Sequence, residues 1–189
     1  MSRCFACSQE NCGYRECTCC CHDVELASVS IEKDIILSKR EIKFHVDEGT
    51  NSNYYKFFGE RISNTIDVCD INKKLSKVLN PLEVVIEDNC FELKIDYPLF
   101  QSSIRIVITD RCFSRIDLLR AISNEYFEVY REEEEDDRNP GLIPGMLNRA
   151  TTSGRHGIWG HQIEDLVIEG IYLSIRKNDV PLVTLCVGS

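Results

Sequence analysis

The chain has 189 residues, of which 43% are apolar, 28% charged and 8% aromatic, and its formal net charge is −9. This composition is typical of a folded globular protein and excludes a disordered or collagen-like chain. So acidic a chain is not expected to bind nucleic acid, because phosphate binding needs a basic surface. No apolar run approaches the roughly 20 residues that cross a bilayer, and the first residues lack the apolar segment of a secretory signal.

The first 22 residues contain most of the cysteines. Seven of the 11 lie there, followed by a histidine: Cys4, Cys7, Cys12, Cys17, Cys19, Cys20, Cys21 and His22. Thiolates and imidazole are preferred zinc ligands, and a structural site uses four of them. The spacing allows C-x2-C-x11-C-x2-H or C-x2-C-x9-C-x2-C, and both patterns are typical of zinc sites. We predict a zinc-binding module over residues 1–23, holding one or two Zn²⁺ ions, and a single α+β domain over residues 24–189.

Other interpretations of this cluster remain open. A disulfide framework fits poorly, because the number of cysteines is odd, three are consecutive and no secretory signal is predicted. Palmitoylation of Cys19–Cys21 would attach the chain to a membrane. The segment is neutral, with Arg3 and Arg15 against Glu10 and Glu16, so it lacks the basic surface of a nucleic-acid-binding finger.

Alternating apolar and polar residues predict the main strands. One pair of runs is separated by Pro98, and a hairpin is expected near the end of the sequence. The apolar positions are Phe91, Leu93, Ile95 and Tyr97, then Ile104, Ile106 and Ile108, and finally Ile171, Leu173 and Ile175 followed by residues 182–187. Such alternation indicates strands with one apolar face, so we expect an antiparallel sheet.

One long amphipathic helix is predicted between these runs. Ser114 and Asp117 have the spacing of a capping box. The apolar residues recur at steps of three and four, as in a helix that buries one stripe: Ile116, Leu119, Ile122, Tyr126 and Val129. The predicted fold is therefore α+β, with an antiparallel sheet, one main amphipathic helix and a Cys-rich, zinc-clipped N-terminal extension.

An acidic run ends this helix. Between residues 114 and 138 there are nine acidic and four basic residues, a difference of −5. Acids at the C-terminal end of a helix oppose its dipole, so the last turns are expected to fray. We interpret residues 132–137 as a solvated surface. A cation site and a docking site for a basic partner are the functional alternatives.

The segment around the single tryptophan carries the best candidate site outside the cysteine cluster. His161 and Glu164 would lie on one face of a helical turn, with Asp165 adjacent and His156 nearby. A catalytic metal needs a third ligand and an open position, and the sequence identifies no such ligand. Trp159, flanked by glycines, is predicted to be a buried anchor. The alternative is an exposed ring that lines a ligand site together with the two histidines.

The same region carries a resemblance. The segment GRHGIWGHQIEDLVIEGIYL, with LCVGS at the end of the sequence, resembles a segment of uncharacterised proteins of large cytoplasmic DNA viruses. The similarity covers about 35 of the 189 residues. It implies a viral, intracellular protein in a reducing compartment, located in the host cytoplasm or the virion, and it implies no catalytic residue.

These observations favour a non-enzymatic, zinc-binding structural or protein-interaction protein, and a minor virion component is one form of that role. The alternative is a zinc-dependent regulator or ligase-like adaptor that recruits a protein partner. Protein partners are expected and nucleic acid is not, and membrane contact requires acylation of Cys19–Cys21. No catalytic residue is assigned, because catalysis would need a cleft that gathers His156, His161 and Glu164.

Overall fold

The alternating runs form one mixed sheet, and the amphipathic segment forms the helix that covers it. The computed structural model describes residues 35–137, 140–145, 149–177 and 179–189. The strands are β1 (Ile36–Glu41), β2 (Val46–Asp47), β3 (Ile62–Ser63), β4 (Ile66–Asp67), β5 (Val84–Ile86), β6 (Cys90–Ile95), β7 (Ser103–Ile108), β8 (Phe113–Ser114), β9 (Gly141–Leu142), β10 (Ala150–Thr151), β11 (Val167–Arg176) and β12 (Leu182–Gly188), and the α-helices are α1 (Asn53–Phe58), α2 (Ile71–Lys74) and α3 (Arg115–Asp136). Short 3-10 turns lie at Val68–Asp70, Leu75–Lys77 and Ile163–Asp165.

The main sheet has the strand order β1-β11-β12-β6-β7, and β4 pairs with one end of β11. The antiparallel pairs β6–β7 and β11–β12 confirm the two predicted sets of neighbouring strands. The pair β6–β12 is parallel, so the sheet is mostly but not wholly antiparallel. A parallel pair joins strands that are distant in the chain, and alternation within each strand carries no information about such a pairing.

Helix α3 packs on one face of this sheet. Its apolar stripe and the inward side chains of the sheet belong to one core cluster, which includes Leu118, Leu119, Ile122, Tyr126 and Val129 of the helix and Phe91, Leu93, Ile95, Ile171, Leu173 and Val183 of the strands. The capping box is present: the Asp117 amide donates to Ser114 Oγ at 3.3 Å, and the Asp117 carboxylate accepts from the Ser114 amide. Residues 36–189 thus form one compact α+β unit with one main helix.

A buried arginine fixes the start of α3. Arg115 is 8% exposed, and its guanidinium donates to the carbonyls of Lys43, Leu79 and Asn80 and to the Glu83 carboxylate at 2.9 to 3.2 Å. A charged group tolerates burial only when its donors are used in this way. The helix is therefore anchored at its first residue.

The isoleucines of β7 do not face the core. Ile104, Ile106 and Ile108 are exposed, while Arg105 and Val107 are partly buried on the helix side of the strand. The expectation that these isoleucines contribute to the apolar core face is wrong. Alternation predicts a strand and its two faces, but which face is buried depends on the register with β6.

The predicted zinc module lies outside the described residues. This applies to all of its candidate ligands, Cys4, Cys7, Cys12, Cys17, Cys19, Cys20, Cys21 and His22, and to the domain boundary predicted between residues 23 and 24. Within the described ranges, none of the helices is long and apolar enough to cross a membrane.

Candidate functional site

The buried stripe of α3 continues past its last apolar residue. Glu133 follows Val129 by four residues and so lies on the same side of the helix. It is only 1% exposed. An ionised carboxylate at a core position needs several hydrogen-bond donors around it, and the segment 152–157 supplies them.

Both carboxylate oxygens of Glu133 accept hydrogen bonds from that segment. Oε1 accepts from the Thr152 hydroxyl at 2.5 Å and from the amides of Gly154 at 2.8 Å and Gly157 at 3.1 Å. Oε2 accepts from the His156 amide at 2.8 Å. Burial raises the pKa of Glu133, but these hydrogen bonds outweigh it and hold the pKa below its usual value. The carboxylate therefore stays ionised and holds the segment against the helix.

Two glycines allow the segment to come this close. A Cβ atom at Gly154 would lie 2.8 Å from the Glu133 carboxyl group. Gly157 has a φ of +67°, and a Cβ atom there would lie 2.9 Å from the Phe100 ring. A side chain at Gly154 would therefore displace the Glu133 carboxylate, and one at Gly157 would displace the Phe100 ring and strain the backbone,.

The preceding carboxylate, Glu132, joins the helix to the sheet. It accepts two hydrogen bonds from Arg105 of β7, at 3.0 and 2.6 Å. Its Oε2 also lies 2.9 Å from His156 Nε2, and because an ionised carboxylate can only accept, His156 donates this bond. The hydrogen bonds from Arg105 are the largest cause of a lowered pKa of Glu132. Desolvation raises this pKa, and the hydrogen bond from His156 lowers it further. The net result is a pKa of about 2 instead of 4.5.

The interpretation of residues 132–137 as a solvated surface is therefore wrong for Glu132 and Glu133. The helix remains regular to Asp136, with the Asp137 amide donating to the Glu133 carbonyl, so the expected fraying is also wrong. Arg155 pairs with Asp136 at 2.7 Å. Hydrogen bonds and ion pairs from residues 152–157 thus offset the unfavourable interaction between the helix dipole and the acidic side chains. The sequence of the helix alone does not reveal these contacts.

Ile158 and Trp159 are extended and lie between two neighbouring segments, and each forms a single β-bridge, Ile158 with Leu99 and Trp159 with Thr151. The Trp159 amide donates to the Pro98 carbonyl at 3.1 Å, and the Gly160 amide donates to the Ala150 carbonyl at 2.8 Å. Ile158 is buried, whereas Trp159 is 40% exposed. The prediction of a buried tryptophan anchor is wrong, because adjacent side chains of an extended segment point in opposite directions and Ile158 takes the inward position.

A cavity of about 610 Å³ lies between the second half of α3 and the segments at residues 149–152 and 158–164. We call it the α3 groove. Its apolar walls include Phe127, Tyr130, Ile158 and Ile163, and its volume is in the range of ligand sites,. The Tyr130 hydroxyl donates to the His161 carbonyl at 3.1 Å and ties the two sides together. Phe127, Tyr130, Arg131 and Glu134 recur at helical steps along this wall.

Acidic side chains dominate the charge of the α3 groove. Arg131 pairs with Glu128 at 2.7 Å and also with Glu135. Arg149 pairs with Asp165. Glu134 and Glu164, which line the groove and are exposed, make no ion pair with any residue in the described part of the chain. The groove therefore presents two uncompensated carboxylates beside apolar walls.

The candidate cluster of His156, His161 and Glu164 is not assembled. His156 is buried against Glu132, while His161 Nε2 lies 2.9 Å from the Tyr97 hydroxyl. In residues 35–189, apart from the short undescribed gaps, no three His, Cys, Asp or Glu side chains are close enough to hold a metal ion. Of the predicted set, His161 and Glu164 line the α3 groove and His156 does not.

Comparison with known proteins gives no family. No protein-family model, no curated protein and no solved structure matches this chain. The resemblance to proteins of large DNA viruses therefore stays a prediction.

Sequence reasoning missed the two residues that organise this region, Glu133 and Tyr130. A signal for both was present: each follows a buried residue of the helical stripe, Val129 and Tyr126, by four positions. Extending the stripe through the acidic run would have placed Glu133 inward. Nothing in the helix sequence indicates that residues 152–157 provide its donors.

Replacement of Glu133 by Gln should destabilise the unit by about 2 kcal/mol, because the amide group cannot accept the bonds that both carboxylate oxygens accept. Replacement of Glu135 by Gln should cost less than about 0.5 kcal/mol, because Glu135 is exposed and its ion-pair partner among the described residues, Arg131, is exposed too. Urea denaturation of the two single variants measures both changes. Equal effects would contradict the role of Glu133 as a clamp.

The Glu132 pair should make stability depend on pH. Because its pKa is lowered from 4.5 to about 2 in the folded chain, its contribution is complete above the unfolded value and disappears as the pH falls toward 2. Glu132→Gln should therefore lower the free energy of unfolding by on the order of 2 kcal/mol at neutral pH. The difference in unfolding free energy between the variant and the parent chain should become smaller as the pH falls from 4.5 to about 2. Urea denaturation at a series of pH values measures it, with Glu135→Gln as the control, and a difference independent of pH would contradict the assignment.

Proposed function

We propose that this chain is a non-enzymatic protein-interaction protein that binds a basic segment of a protein partner in the α3 groove. The observation that carries the proposal is the pair of exposed carboxylates, Glu134 on α3 and Glu164 on the opposite 3-10 turn, both lining one groove with apolar walls. A lysine or arginine side chain matches this combination, because it has an apolar stem and a cationic end.

The charge of the whole chain supports the same class of partner. A net charge of −9 attracts cationic segments over long distances and raises their encounter rate,. Within the groove, Arg131 and Arg149 are already paired with acids, so they do not compete for Glu134 and Glu164. Phe127 is 43% exposed and offers an aromatic face to a bound cation.

The N-terminal cysteine cluster belongs to this proposal as a second element. We propose that Cys4 to Cys21, with His22, hold Zn²⁺ and order a short module that serves the same interaction role. Thiolate and imidazole chemistry at this spacing supports it. The viral and virion part of the proposal rests on the resemblance of residues 154–189 alone.

A fluorescent peptide of six alternating arginine and leucine residues is a direct probe of the α3 groove. We expect it to bind the full chain at low salt and to bind less tightly as salt rises, because the ionic part of the contact is screened. Glu134→Gln together with Glu164→Gln should weaken binding about three- to thirtyfold, the range for the loss of two exposed ion pairs. Fluorescence anisotropy measures the affinity.

The matched control removes the same charge elsewhere. Glu60 and Glu87 are exposed and do not line the groove, so Glu60→Gln with Glu87→Gln should leave the affinity nearly unchanged. If both double variants lose the same affinity, the peptide binds the net charge of the chain rather than the groove. A peptide of alternating glutamate and leucine should not bind.

The zinc prediction is tested on the purified full chain by elemental analysis and native mass spectrometry. We expect one or two Zn²⁺ ions per chain, and chelation should make residues 1–22 sensitive to protease, because the metal supplies most of the ordering free energy of so short a segment. Cys4→Ser with Cys7→Ser should lower the zinc content, whereas Cys186→Ser, at an exposed cysteine of β12, should not. A metal-free chain whose N-terminal segment resists protease equally well would contradict the prediction.

A further inference from the structure

β7 forms one edge of the main sheet and carries an exposed apolar stripe. Ile104, Ile106 and Ile108 are 58%, 65% and 72% exposed. β6 is the only strand that pairs with β7 in the described part of the chain. Exposed edge strands are usually protected by charged side chains, including inward-pointing ones, by a proline or by a bulge. The one charged residue of β7, Arg105, points to the helix side and pairs with Glu132. The opposite face of β7 has only these isoleucines, and its register with β6 is regular.

The backbone of the same residues points to the open edge. The Thr109 amide donates to the Asn89 carbonyl at 2.9 Å, so Asn89 and Thr109 form a hydrogen-bonded pair. Such pairs alternate along an antiparallel ladder, which directs the amides and carbonyls of residues 103, 105 and 107 toward β6. The backbone groups of Ile104, Ile106 and Ile108 therefore face away from β6.

We propose that β7 pairs antiparallel with β7 of a second copy of this chain, across a two-fold axis at Ile106. In this register Ile106 lies opposite Ile106 of the second copy, and Ile104 lies opposite Ile108. All three isoleucines of each chain are then paired, and their free amides and carbonyls bond across the axis. The pairing is isologous, as closed dimers require.

The charges on the other face select this register. Arg105 lies opposite Val107 when the axis passes through Ile106, and its charge is already balanced by Glu132 at 2.6 Å. An axis through Arg105 would place two arginines opposite each other, which is unfavourable in a sheet. An axis through Val107 would leave Ile104 without an isoleucine partner.

The net charge of −9 on each copy opposes association. Salt screens this repulsion and does not weaken apolar or backbone contacts. The dimer should therefore become tighter as salt rises, which is opposite to the behaviour expected of the basic peptide in the α3 groove.

Sedimentation velocity of the full chain tests the dimer. Because interfaces below about 1,200 Å² are typical of weak complexes, the measurement extends to on the order of 100 µM protein. We expect a concentration-dependent dimer for the parent chain and a monomer for Ile106→Lys, which places two ammonium groups together on the axis. Phe57→Lys, at an 84% exposed residue of α1, should still dimerise.

Charge pairing tests the register. Ile106→Lys and Ile106→Glu should each be monomeric alone, and an equimolar mixture should form a heterodimer, because the two substituted residues then face each other. Amide exchange of the parent chain should slow at Ile104, Ile106 and Ile108 as concentration rises. Thermal unfolding of each variant monitors the fold.

Three results would overturn the proposal: a parent chain that stays monomeric throughout, an oligomer that Ile106→Lys leaves intact, or a mixture that does not associate. A monomeric parent chain with protected β7 amides would show that a segment of the same chain covers the edge. Peptide binding in the α3 groove is measured separately, and Ile106→Lys should not change it.

Discussion

The carboxylate of Glu133 holds together the region in which the α3 groove lies. It is nearly inaccessible to water, and it compensates for this with one hydroxyl and three amides of residues 152–157. A buried charge is costly unless it is fully bonded, so this arrangement is stable in few geometries. The segment must approach closely at Gly154, and the helix must keep its last turn.

Other contacts depend on this one. When residues 152–157 lie against α3, the His156 ring reaches Glu132, and Ile158 takes the inward position next to the segments at residues 98–101 and 150–152. Part of the second wall of the α3 groove, residues 158–164, follows directly in the chain. The groove therefore depends on how the buried carboxylate of Glu133 is hydrogen-bonded, and one of its two exposed acids, Glu134, belongs to the same acidic run.

The helix and the antiparallel strand pairs could be predicted because their signals are local. The capping box at Ser114 and the stripe to Val129 depend on residues three or four apart, and these are neighbours in any helix. Local signals do not predict which face of a strand is buried or which segment an element contacts. The alternation predicts Ile104 on the core face and the glycine neighbours predict a buried Trp159, but the register with β6 and the inward position of Ile158 decide their orientation. For Glu133, the sequence showed a charge and not the donors some 20 residues later.

The parallel pair β6–β12 has a consequence for the order of assembly during synthesis. β12 is made after every other described strand, yet it lies between β11 and β6 near the middle of the sheet. Until residues 182–188 have been made, the β6–β7 pair and the β1–β11 pair have no strand between them and cannot form one sheet. A chain in which β12 has not yet paired therefore has two half-sheets with open edges, and such open edges are prone to wrong association.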